Sequence, residues 1–555
     1  MSNIQSFGLA LGLAVLLALA GPARAAHPPV VRAPVGALEG QAQGGLDVLR
    51  GGLDVFKGIA YAQPPVGPAR WTPPRPVADW QGVRPAKDFG PACVQPDSPP
   101  GNLYGETPAR MSEDCLSLNI WAPKRAKKAP VFLWIHGGAL TTGSSSESVY
   151  DGAKLARRGV VVVTINYRLG VLGWLAHPAL SAESAQGISG NYGLLDQIEA
   201  LRWVKRNIAA FGGDPANVTI AGESAGGLSV MYLMAAPPAR GLFAKAISES
   251  GYMVSTPELK AAKFGSPSAE SAGETLAAKL KAPDLAALRA MDARVLTNAA
   301  ARAGFGPFGA VDGKILPRQL VEVSDRGEQA PVPLLAGFNS GEIRSLRMLA
   351  PRPPASAAAY EATIRSRYGD LAGAFLRLYP SSNLEESIIA TTRDALYGWT
   401  AQRLAVKQTQ LGQPAYLYEF DHGYPAMDSA GLHGFHASEL PYVFGNADRL
   451  PAHWPKPPAT AQEERLSDAM IGYWTSFART GVPKASGQPA WRPYDSDGAY
   501  MAFEQTPEPS EHLMPGMYAL QEAVVCRRRQ AGDLAWNWNV GLVSPPLPAR
   551  KAGCP

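Results

Sequence analysis

Residues 218–227 read "VTIAGESAGG" and contain the most informative turn of the chain. The centre of this stretch, Gly222 to Gly226, fits the pattern G-x-S-x-G. The β-branched residues before it predict a buried strand, and "GLSVMYLMAA" from Gly227 predicts a helix that stops at Pro237. A serine at a sharp turn from strand to helix stands clear of the backbone, so Ser224 is a candidate nucleophile.

Strand-like and helix-like segments alternate around this turn. "PVFLWI" (130–135) and "VVVVTINY" (160–167) are short, β-branched runs that predict buried strands, and "SVYDGAKLARRG" between them predicts a helix. From Gly193 to Phe211 the apolar residues recur at helical spacing, and the glycine pair that follows ends that helix. This alternation predicts an α/β fold with a mostly parallel central sheet and helices on both faces.

The second half of the sequence is less regular. "PVPLLAGF" (331–338) and "AYLYEF" (415–420) predict further strands, and the 50 Pro and 57 Gly of the chain predict long loops. Neither an internal repeat nor an interdomain linker is evident. We therefore expect residues 26–555 to form a single α/β domain with large loop insertions.

The N-terminal segment resembles a secretory signal peptide. A 14-residue apolar run from Phe7 to Ala20 is followed by "ARA" at 23–25, which suits cleavage after Ala25. The run is shorter than the roughly 20 residues that span a bilayer, although no Lys or Arg precedes it. We expect residues 1–25 to be removed and the protein to be exported, periplasmic or secreted, without an integral membrane segment thereafter.

Composition and cysteine spacing narrow the class of protein. The chain of 555 residues is 46% hydrophobic and 18% charged, which is typical of a globular protein, and its net charge is +5. The short basic run "KRAKK" at 124–128 gives no basis for a nucleic-acid partner. The four cysteines include no C-x-x-C pair, so no metal site is expected. In an exported protein they predict disulfides, and proximity in sequence favours Cys93–Cys115 and Cys526–Cys554 among the three possible pairings.

A serine nucleophile needs a base and an acid that orients the base. On a strand–turn–helix scaffold of this kind the chain order is Ser, acid, His. The segment "GLHGFHASELPYVFGN" offers His433 and His436, and residue chemistry alone leaves both open. Backbone donors for an oxyanion are expected from the helix that begins after Ser224 and from the glycines of "HGG" at 136–138, which follow a predicted strand.

Long stretches of this sequence resemble the type-B carboxylesterase family, the cholinesterase-like branch of the α/β hydrolases. "FKGIAYAQPPVGPARW" (56–71) and "EDCLSLNIWAP" (113–123) resemble two of its segments. "GNYGLLDQIEALRWVKRNIAAFGGDPANVTIAGESAGG" (190–227) resembles the family's signature around the nucleophile. The resemblance extends over most of the chain and implies an α/β-hydrolase fold.

The resemblance also implies the remaining catalytic roles. The family's acid lies in a loop written G-x-N-x-x-E, and "GFNSGEI" places that residue at Glu342. The family's histidine precedes E-[IL]-x-[FY]-V-F-G by three residues, so "HASELPYVFG" selects His436. The oxyanion hole is expected from Gly138, Ala139 and Ala225, with Ala139 in place of the family's usual third glycine. Cys93–Cys115 matches the family's first disulfide, whereas Cys526–Cys554 is outside the family pattern.

These inferences predict a serine carboxylic-ester hydrolase that works without a cofactor, through an acyl-enzyme, on small to medium-sized esters. Amide, carbamate or lactone hydrolysis by the same triad is an alternative, and a non-catalytic binding protein is disfavoured because all triad residues are present. An interfacial lipase is disfavoured because the sequence between Cys93 and Cys115 is polar. Candidate pocket residues, each with a structural role as the alternative, are Leu140, Glu223, Trp399 and Phe435. Oligomeric state stays open.

Overall fold

A computed structural model describes residues 28–44, 52–105 and 107–554. The predicted signal peptide, residues 1–25, lies outside the described residues. Within those ranges no helix combines the length and the apolar character needed to cross a bilayer.

One large mixed sheet organises the described chain. Its eleven strands are numbered here in chain order. They are β1 Gln41–Gln43, β2 Leu53–Ala60, β3 Ser117–Pro123, β4 Ala129–Ile135, β5 Val161–Ile165, β6 Gly213–Glu223, β7 Lys245–Glu249, β8 Leu334–Asn339, β9 Ala415–Phe420, β10 Tyr500–Phe503 and β11 Pro507–Ser510. In space they lie in the order β11-β10-β9-β8-β7-β6-β4-β5-β3-β2-β1.

The centre of the sheet is parallel and its edges are antiparallel. Strands β5, β4, β6, β7, β8, β9 and β10 run parallel to one another. Strand β11 at one edge and strands β1 to β3 at the other are antiparallel to their neighbours. The predicted α/β-hydrolase fold with a mostly parallel sheet is confirmed. Because parallel strands end at the same edge, the loops after β4, β6, β8 and β9 meet there.

The core lies on both faces of the sheet. Along β4, Val131, Leu133 and Ile135 belong to one buried cluster, whereas Phe132 and Trp134 belong to another. Alternate residues of a strand point to opposite faces, so helices must cover both sides. This explains why "PVFLWI" is apolar throughout instead of alternating with polar residues.

The helices have the following bounds. Those with at least ten residues are Tyr192–Asn207, Ala225–Ala235, Ala269–Lys279, Ala293–Arg302, Ala357–Tyr368, Leu384–Arg393, Trp399–Gln410, Ala461–Thr480 and Met517–Ala531. The shorter ones are Ala153–Ala156, Gly170–Trp174, Pro178–Glu183, Leu285–Ala290, Leu320–Asp325, Glu342–Ser345, Ala372–Leu378, Pro425–Ser429 and Leu440–Phe444. A π-helical turn spans Asp394–Gly398, and 3-10 turns span Gly67–Ala69, Ser148–Tyr150, Ile208–Phe211, Pro237–Ala239, Arg347–Leu349, Gly369–Leu371 and Gly541–Val543.

The helix predicted over residues 148–159 is wrong for most of its length. The segment forms only the turn Ser148–Tyr150 and the short helix Ala153–Ala156. The Asp151 carboxylate accepts a hydrogen bond from the Ala153 amide at 2.9 Å and so starts a new turn there. The extended backbone at Asp151, with a ψ of 112°, and the side-chain turn that follows it therefore divide what the apolar spacing presents as one helix.

Two disulfides, Cys93–Cys115 and Cys526–Cys554, are present. Closing a loop of 22 residues, as the first one does, stabilises a fold by roughly 3 kcal/mol on the chain-entropy account. The second ties the helix Met517–Ala531 to the C-terminal residues. Both indicate an oxidising compartment. The remaining short strands are Val30–Ala33, Gly36–Glu39, Val83–Pro85, Ala92–Cys93 and Met111–Ser112.

Candidate active site

Ser224 occupies a strained turn between β6 and the helix Ala225–Ala235. Its φ of 57° and ψ of −119° lie outside the regions that side chains other than glycine favour. A Cβ added to Gly226 would lie 2.1 Å from the Ile135 carbonyl oxygen, and one added to Gly222 would lie 2.6 Å from the Gly226 carbonyl carbon. The two glycines of G-x-S-x-G are therefore steric requirements of the turn. The Ser224 amide donates to the Glu249 carbonyl at 2.9 Å, which fixes the turn on the neighbouring strand.

The predicted acid and base are in contact. Glu342 follows β8 and is fully buried, and its Oε2 is hydrogen-bonded to His436 Nδ1. Its other oxygen, Oε1, accepts a hydrogen bond from the Asn339 amide at 2.9 Å. The imidazole of His436 lies between the rings of Tyr104 and Tyr397, at centroid distances of 5.9 and 5.4 Å. This packing and the carboxylate contact hold the imidazole in one orientation.

Asn339, a residue to which the sequence analysis gave no role, connects these loops. Its side-chain amide donates to the Phe435 carbonyl at 2.8 Å and to the Glu439 carboxylate at 2.5 Å. Its backbone amide binds Glu342, so one residue positions both the acid and the loop that carries the histidine. The asparagine of G-x-N-x-x-E was the available signal for this role.

The other nitrogen of the imidazole faces Glu223. His436 Nε2 lies 3.2 Å from Glu223 Oε1, and both side chains are buried. Within the described residues the Ser224 hydroxyl makes no hydrogen bond, although Ser224, Glu223 and His436 line the same cavity. Glu223 Oε1 is within ion-pair distance of Nε2 but has no hydrogen-bond partner among the described residues. Catalytic hydrogen bonds of free enzymes are often long and tighten only when substrate binds.

The carboxylates around His436 dominate its ionisation. Burial acts to lower the pKa of His436, but Glu223 and Glu342 outweigh burial and raise the pKa to about 9. Burial also raises the pKa of Glu439 to about 7. The two carboxylates therefore favour the protonated form of His436, and the neutral form, which a general base requires, is reached at higher pH than in a free histidine.

We expect Glu223→Gln to move the acid limb of the pH profile of kcat/KM to lower pH by about one unit or more. The substitution removes one of the two carboxylates that raise the pKa of His436, so the neutral imidazole forms at lower pH. The profile is measured with p-nitrophenyl butyrate between pH 5 and 10.

Glu249→Gln is the matched control for this shift. Glu249 is also a buried glutamate at the end of a parallel strand, but its carboxylate binds Trp474 at 2.8 Å and not the imidazole. An acid limb that stays in place in Glu223→Gln, or moves equally in Glu249→Gln, would contradict the assignment.

Three backbone amides form the predicted oxyanion-binding group. Gly138 and Ala139 lie in the loop after β4 with φ angles of 99° and 54°, and Ala225 is the first residue of the helix after Ser224. Among the described residues no acceptor is hydrogen-bonded to any of these three amides. A Cβ on Gly138 would lie 2.3 Å from the Thr142 carbonyl oxygen, so this position requires glycine. Ala139 adopts a left-handed conformation that glycine would adopt at lower cost.

A cavity of about 550 Å³ contains these groups. Ser224, Glu223, His436, Gly138 and Ala139 line it. The rest of the wall is mainly aromatic and aliphatic and comes from distant segments: Tyr104, Val149, Tyr150, Tyr252, Phe308, Leu346, Met348, Leu349, Leu396, Tyr397, Leu440, Trp454 and Trp538. Such a wall suits a largely apolar ligand that is oriented by a few polar groups.

Three predicted pocket residues do not line this cavity. Leu140, Trp399 and Phe435 are fully buried in the core. The Trp399 indole donates to Glu522 at 2.8 Å, and the Phe435 ring packs edge-on against Trp454. Each lies near a site residue in sequence, but its side chain points away from the cavity.

His433 lies apart from the imidazole of His436. Its ring contacts Asp421 at 2.8 Å and Asp428 at 2.9 Å and is 41% exposed. The hydrogen bond to Asp421 has the largest effect, and together with the one to Asp428 it raises the pKa of His433 to about 9. In the described part of the chain, no group of three or more His, Cys, Asp or Glu side chains is arranged to hold a metal ion.

Comparison with known proteins gives concordant matches over most of the chain. The carboxylesterase family profile matches residues 27–519. Fumonisin B1 esterase of Sphingopyxis macrogoltabida is 36% identical over 481 residues, which cover 83% of this chain and 85% of that protein. Para-nitrobenzyl esterase of Bacillus subtilis (strain 168) is 39% identical over 446 residues, which cover 78% of this chain and 87% of that protein. A solved structure of a PNB esterase superposes with a TM-score of 0.76 at 34% identity and covers 89% of this chain and 99% of its own.

Proposed function

Because this chain belongs to the carboxylesterase family and is a carboxylic ester hydrolase, we propose that Ser224, His436 and Glu342 are the residues with which it cleaves small to medium-sized esters. The observation that carries this proposal is the contact between the buried Glu342 carboxylate and His436 Nδ1, in an imidazole that shares a cavity with Ser224. A buried acid, an oriented base and a strained serine are the parts that acyl transfer requires.

In the first half of the reaction the Ser224 hydroxyl attacks the ester carbonyl carbon. His436 Nε2, the ring nitrogen that does not contact Glu342, takes the hydroxyl proton. The amides of Gly138, Ala139 and Ala225 donate to the oxyanion of the tetrahedral intermediate. His436 then gives the proton to the alkoxide oxygen as the C–O bond breaks, which releases the alcohol and leaves an acyl-enzyme.

In the second half water replaces the alcohol. His436 takes a proton from the water, the resulting hydroxide attacks the acyl carbonyl, and the same three amides hold the second oxyanion. The C–O bond to Ser224 breaks as His436 returns the proton to Oγ, so the acid leaves and the serine is regenerated. Glu342 stabilises the imidazolium that forms in both halves. This chemistry uses only the chain's own residues and water.

The size of the substrate follows from the cavity. A volume of about 550 Å³ is large enough for the reacting part of a small to medium-sized ester. Two relatives are named as a fumonisin B1 esterase and a para-nitrobenzyl esterase. Relatives in this family are therefore named for different esters, and the aromatic wall of this chain is expected to set its own selection.

We also propose that the protein is exported after cleavage behind Ala25, to the periplasm or beyond. The apolar run and "ARA" of residues 7–25 support this, as does the oxidising compartment that the two disulfides indicate. The family profile begins at residue 27, directly after the proposed cleavage site.

A fluorophosphonate probe tests the assignment of the nucleophile. We expect it to modify one serine, in the peptide that contains Ser224, and to abolish hydrolysis of p-nitrophenyl butyrate in proportion to labelling. The bond class is tested in parallel with an ester and its matched anilide, and we expect the ester to have the higher kcat/KM. Labelling at another serine would contradict the assignment of Ser224 as the nucleophile. A higher kcat/KM for the anilide would show that the protein is an amidase.

A further inference from the structure

The hydroxyl of Tyr104 connects two segments that carry residues of the proposed triad. It donates to the Ser345 hydroxyl at 2.5 Å, and the His436 carbonyl oxygen, a second acceptor, lies 3.3 Å away. Ser345 ends the short helix that begins at Glu342, and its hydroxyl in turn donates to the Glu342 carbonyl at 3.4 Å. One phenol therefore links the helix of the acid to the loop of the base.

The ring of Tyr104 also contacts the loop of the base. It packs edge-on against the His436 imidazole, at a centroid distance of 5.9 Å, and against the Trp454 ring at 6.4 Å. Burial raises the pKa of Tyr104 well above its usual range, so the hydroxyl keeps its proton and remains a donor under assay conditions. The ring and the hydroxyl thus contact the loop of the base at two points, the imidazole and the backbone.

Tyr104 belongs to a third segment, the residues between Cys93 and Cys115, which we call the disulfide loop. Side chains of the disulfide loop bond to one another around Tyr104. The Asn102 side chain donates to the Ser98 hydroxyl at 2.7 Å, and the backbone amide of Tyr104 donates to the Asn102 side chain at 3.2 Å. These bonds and the disulfide fix the backbone from which the Tyr104 side chain projects.

Asn339 links the acid and the base in a similar way. At the end of strand β8 its backbone amide donates to Glu342, and its side chain donates to the Phe435 carbonyl. Tyr104 approaches the same two segments from a different part of the chain. A single link leaves rotation about itself free, whereas two links from different directions fix the relative position of two segments. That position matters, because misplacing a catalytic group by about 1 Å lowers the rate by about a hundredfold.

We propose that Tyr104 is a positioning residue, through which the disulfide loop sets the orientation of His436 towards Glu342. This inference rests on the proposed function. The role belongs to the hydroxyl, because the hydroxyl contacts both segments, whereas the ring also lines the catalytic cavity. A variant that removes the hydroxyl and keeps the ring therefore separates positioning from substrate binding.

Tyr104→Phe is that variant. We expect kcat for p-nitrophenyl butyrate to fall about tenfold and KM to stay within about twofold, because the acid–base pair loses a link while the cavity wall is retained. Tyr360→Phe is the matched control. Tyr360 is a buried tyrosine whose hydroxyl donates to the Tyr379 carbonyl at 2.9 Å, and it does not line the catalytic cavity. We expect its kcat to stay within about twofold of the wild type.

A double-mutant cycle tests whether the effect passes through the bond to Ser345. Ser345→Ala removes the acceptor and leaves the phenol in place. If the two hydroxyls act as one link, kcat of the double variant Tyr104→Phe/Ser345→Ala will match that of Tyr104→Phe within about twofold. Independent roles would instead multiply the two losses.

The contribution of the disulfide loop is tested by opening it. Cys93→Ala/Cys115→Ala keeps Tyr104 but frees its backbone, and we expect kcat to fall about tenfold, with less than about twofold further loss when Tyr104→Phe is added. Cys526→Ala/Cys554→Ala opens the other disulfide and should keep kcat within about twofold. Thermal unfolding midpoints show whether each variant is folded. If the first is unfolded, Tyr104→Phe and the double-mutant cycle decide the question.

A spectroscopic measurement is independent of turnover. At pH 6 the His436 imidazole is protonated, and its Nδ1 proton, bonded to Glu342, gives a proton NMR resonance far downfield that His436→Ala removes. We expect this proton to exchange with water at least about threefold faster in Tyr104→Phe and at the wild-type rate in Tyr360→Phe. This pattern in a protein that does not hydrolyse p-nitrophenyl butyrate would overturn the proposed function and leave the positioning role standing.

Three results would overturn the inference itself. One is a kcat of Tyr104→Phe within about twofold of the wild type. Another is a raised KM with unchanged kcat, which would make Tyr104 a substrate-binding residue. The third is a double variant in which the losses of Tyr104→Phe and Ser345→Ala multiply.

Discussion

Ser224→Ala will hydrolyse p-nitrophenyl butyrate at least about 10⁴-fold more slowly than the wild type. The substitution removes the atom that forms the acyl-enzyme and leaves the backbone donors of the oxyanion hole in place. The strained turn is set by Gly222, Gly226 and the bond from the residue 224 amide to Glu249, which alanine keeps. We therefore expect kcat to fall while the stability of the folded protein is unchanged. It is measured by kcat together with the thermal unfolding midpoint.

Ser250→Ala is the matched control for this experiment. Ser250 is also a buried serine with positive φ at the end of a parallel strand, and its hydroxyl has no partner among the described residues. It does not line the catalytic cavity. We expect it to retain activity within about twofold. If Ser224→Ala kept most of its activity, or if both variants lost it equally, Ser224 would not be the nucleophile.

Much of the scaffold around this serine could be predicted from local patterns. The strands β4, β5, β6 and β9 and the helix Tyr192–Asn207 follow from apolar runs and spacing, because burial on both sheet faces or on one helix face leaves a direct trace in the sequence. The turn at Ser224 follows from its glycines for a steric reason that the structure makes explicit. The helix predicted over 148–159 was wrong because the extended backbone and side-chain turn at Asp151 interrupt it despite its apolar spacing.

The site itself was predictable only in part. Motifs identify Ser224, Glu342 and His436 because each lies at the end of a parallel strand or in a loop of recognisable pattern. The contact between His436 and Glu223 could not be predicted, since it depends on how a ring and a carboxylate are oriented across two loops. The same holds for Tyr104 in the polar loop between Cys93 and Cys115, whose ring packs against the imidazole of His436.

The cavity wall was the least predictable feature. Its side chains come from segments as distant as Tyr104 and Trp538, and only the folded chain brings them together. Of the predicted pocket residues beside site residues, Glu223 lines the cavity, whereas Leu140 and Phe435 do not, because neighbours along a strand or turn point in opposite directions. Phe435 shows this directly, since it precedes His436 and packs in the core.

The second large effect on activity is expected from substituting His436, and the neighbouring His433 provides the control. His436→Ala will lower kcat at least about 10⁴-fold, because within the described ranges no other base both contacts Glu342 and lines the cavity with Ser224. His433→Ala will keep activity within about threefold, since its ring binds Asp421 and Asp428 and does not line the catalytic cavity. Both variants are assayed at pH 9 with p-nitrophenyl butyrate. The reverse pattern would mean that His433 is the base.

His433 is expected to contribute to folding stability, although it is not expected to contribute to activity. The pKa of His433 is raised to about 9 by its carboxylate partners, so its contribution to folding is complete below the ordinary histidine pKa and is lost as pH rises through 9. Since the ring is 41% exposed, that contribution is only about 1 kcal/mol. His433→Ala should therefore lower the free energy of unfolding at pH 6 by about that amount and match the wild type at pH 10, as urea titrations at the two pH values will measure. An equal deficit at both values would mean that packing, and not the ion pairs, holds His433 in place.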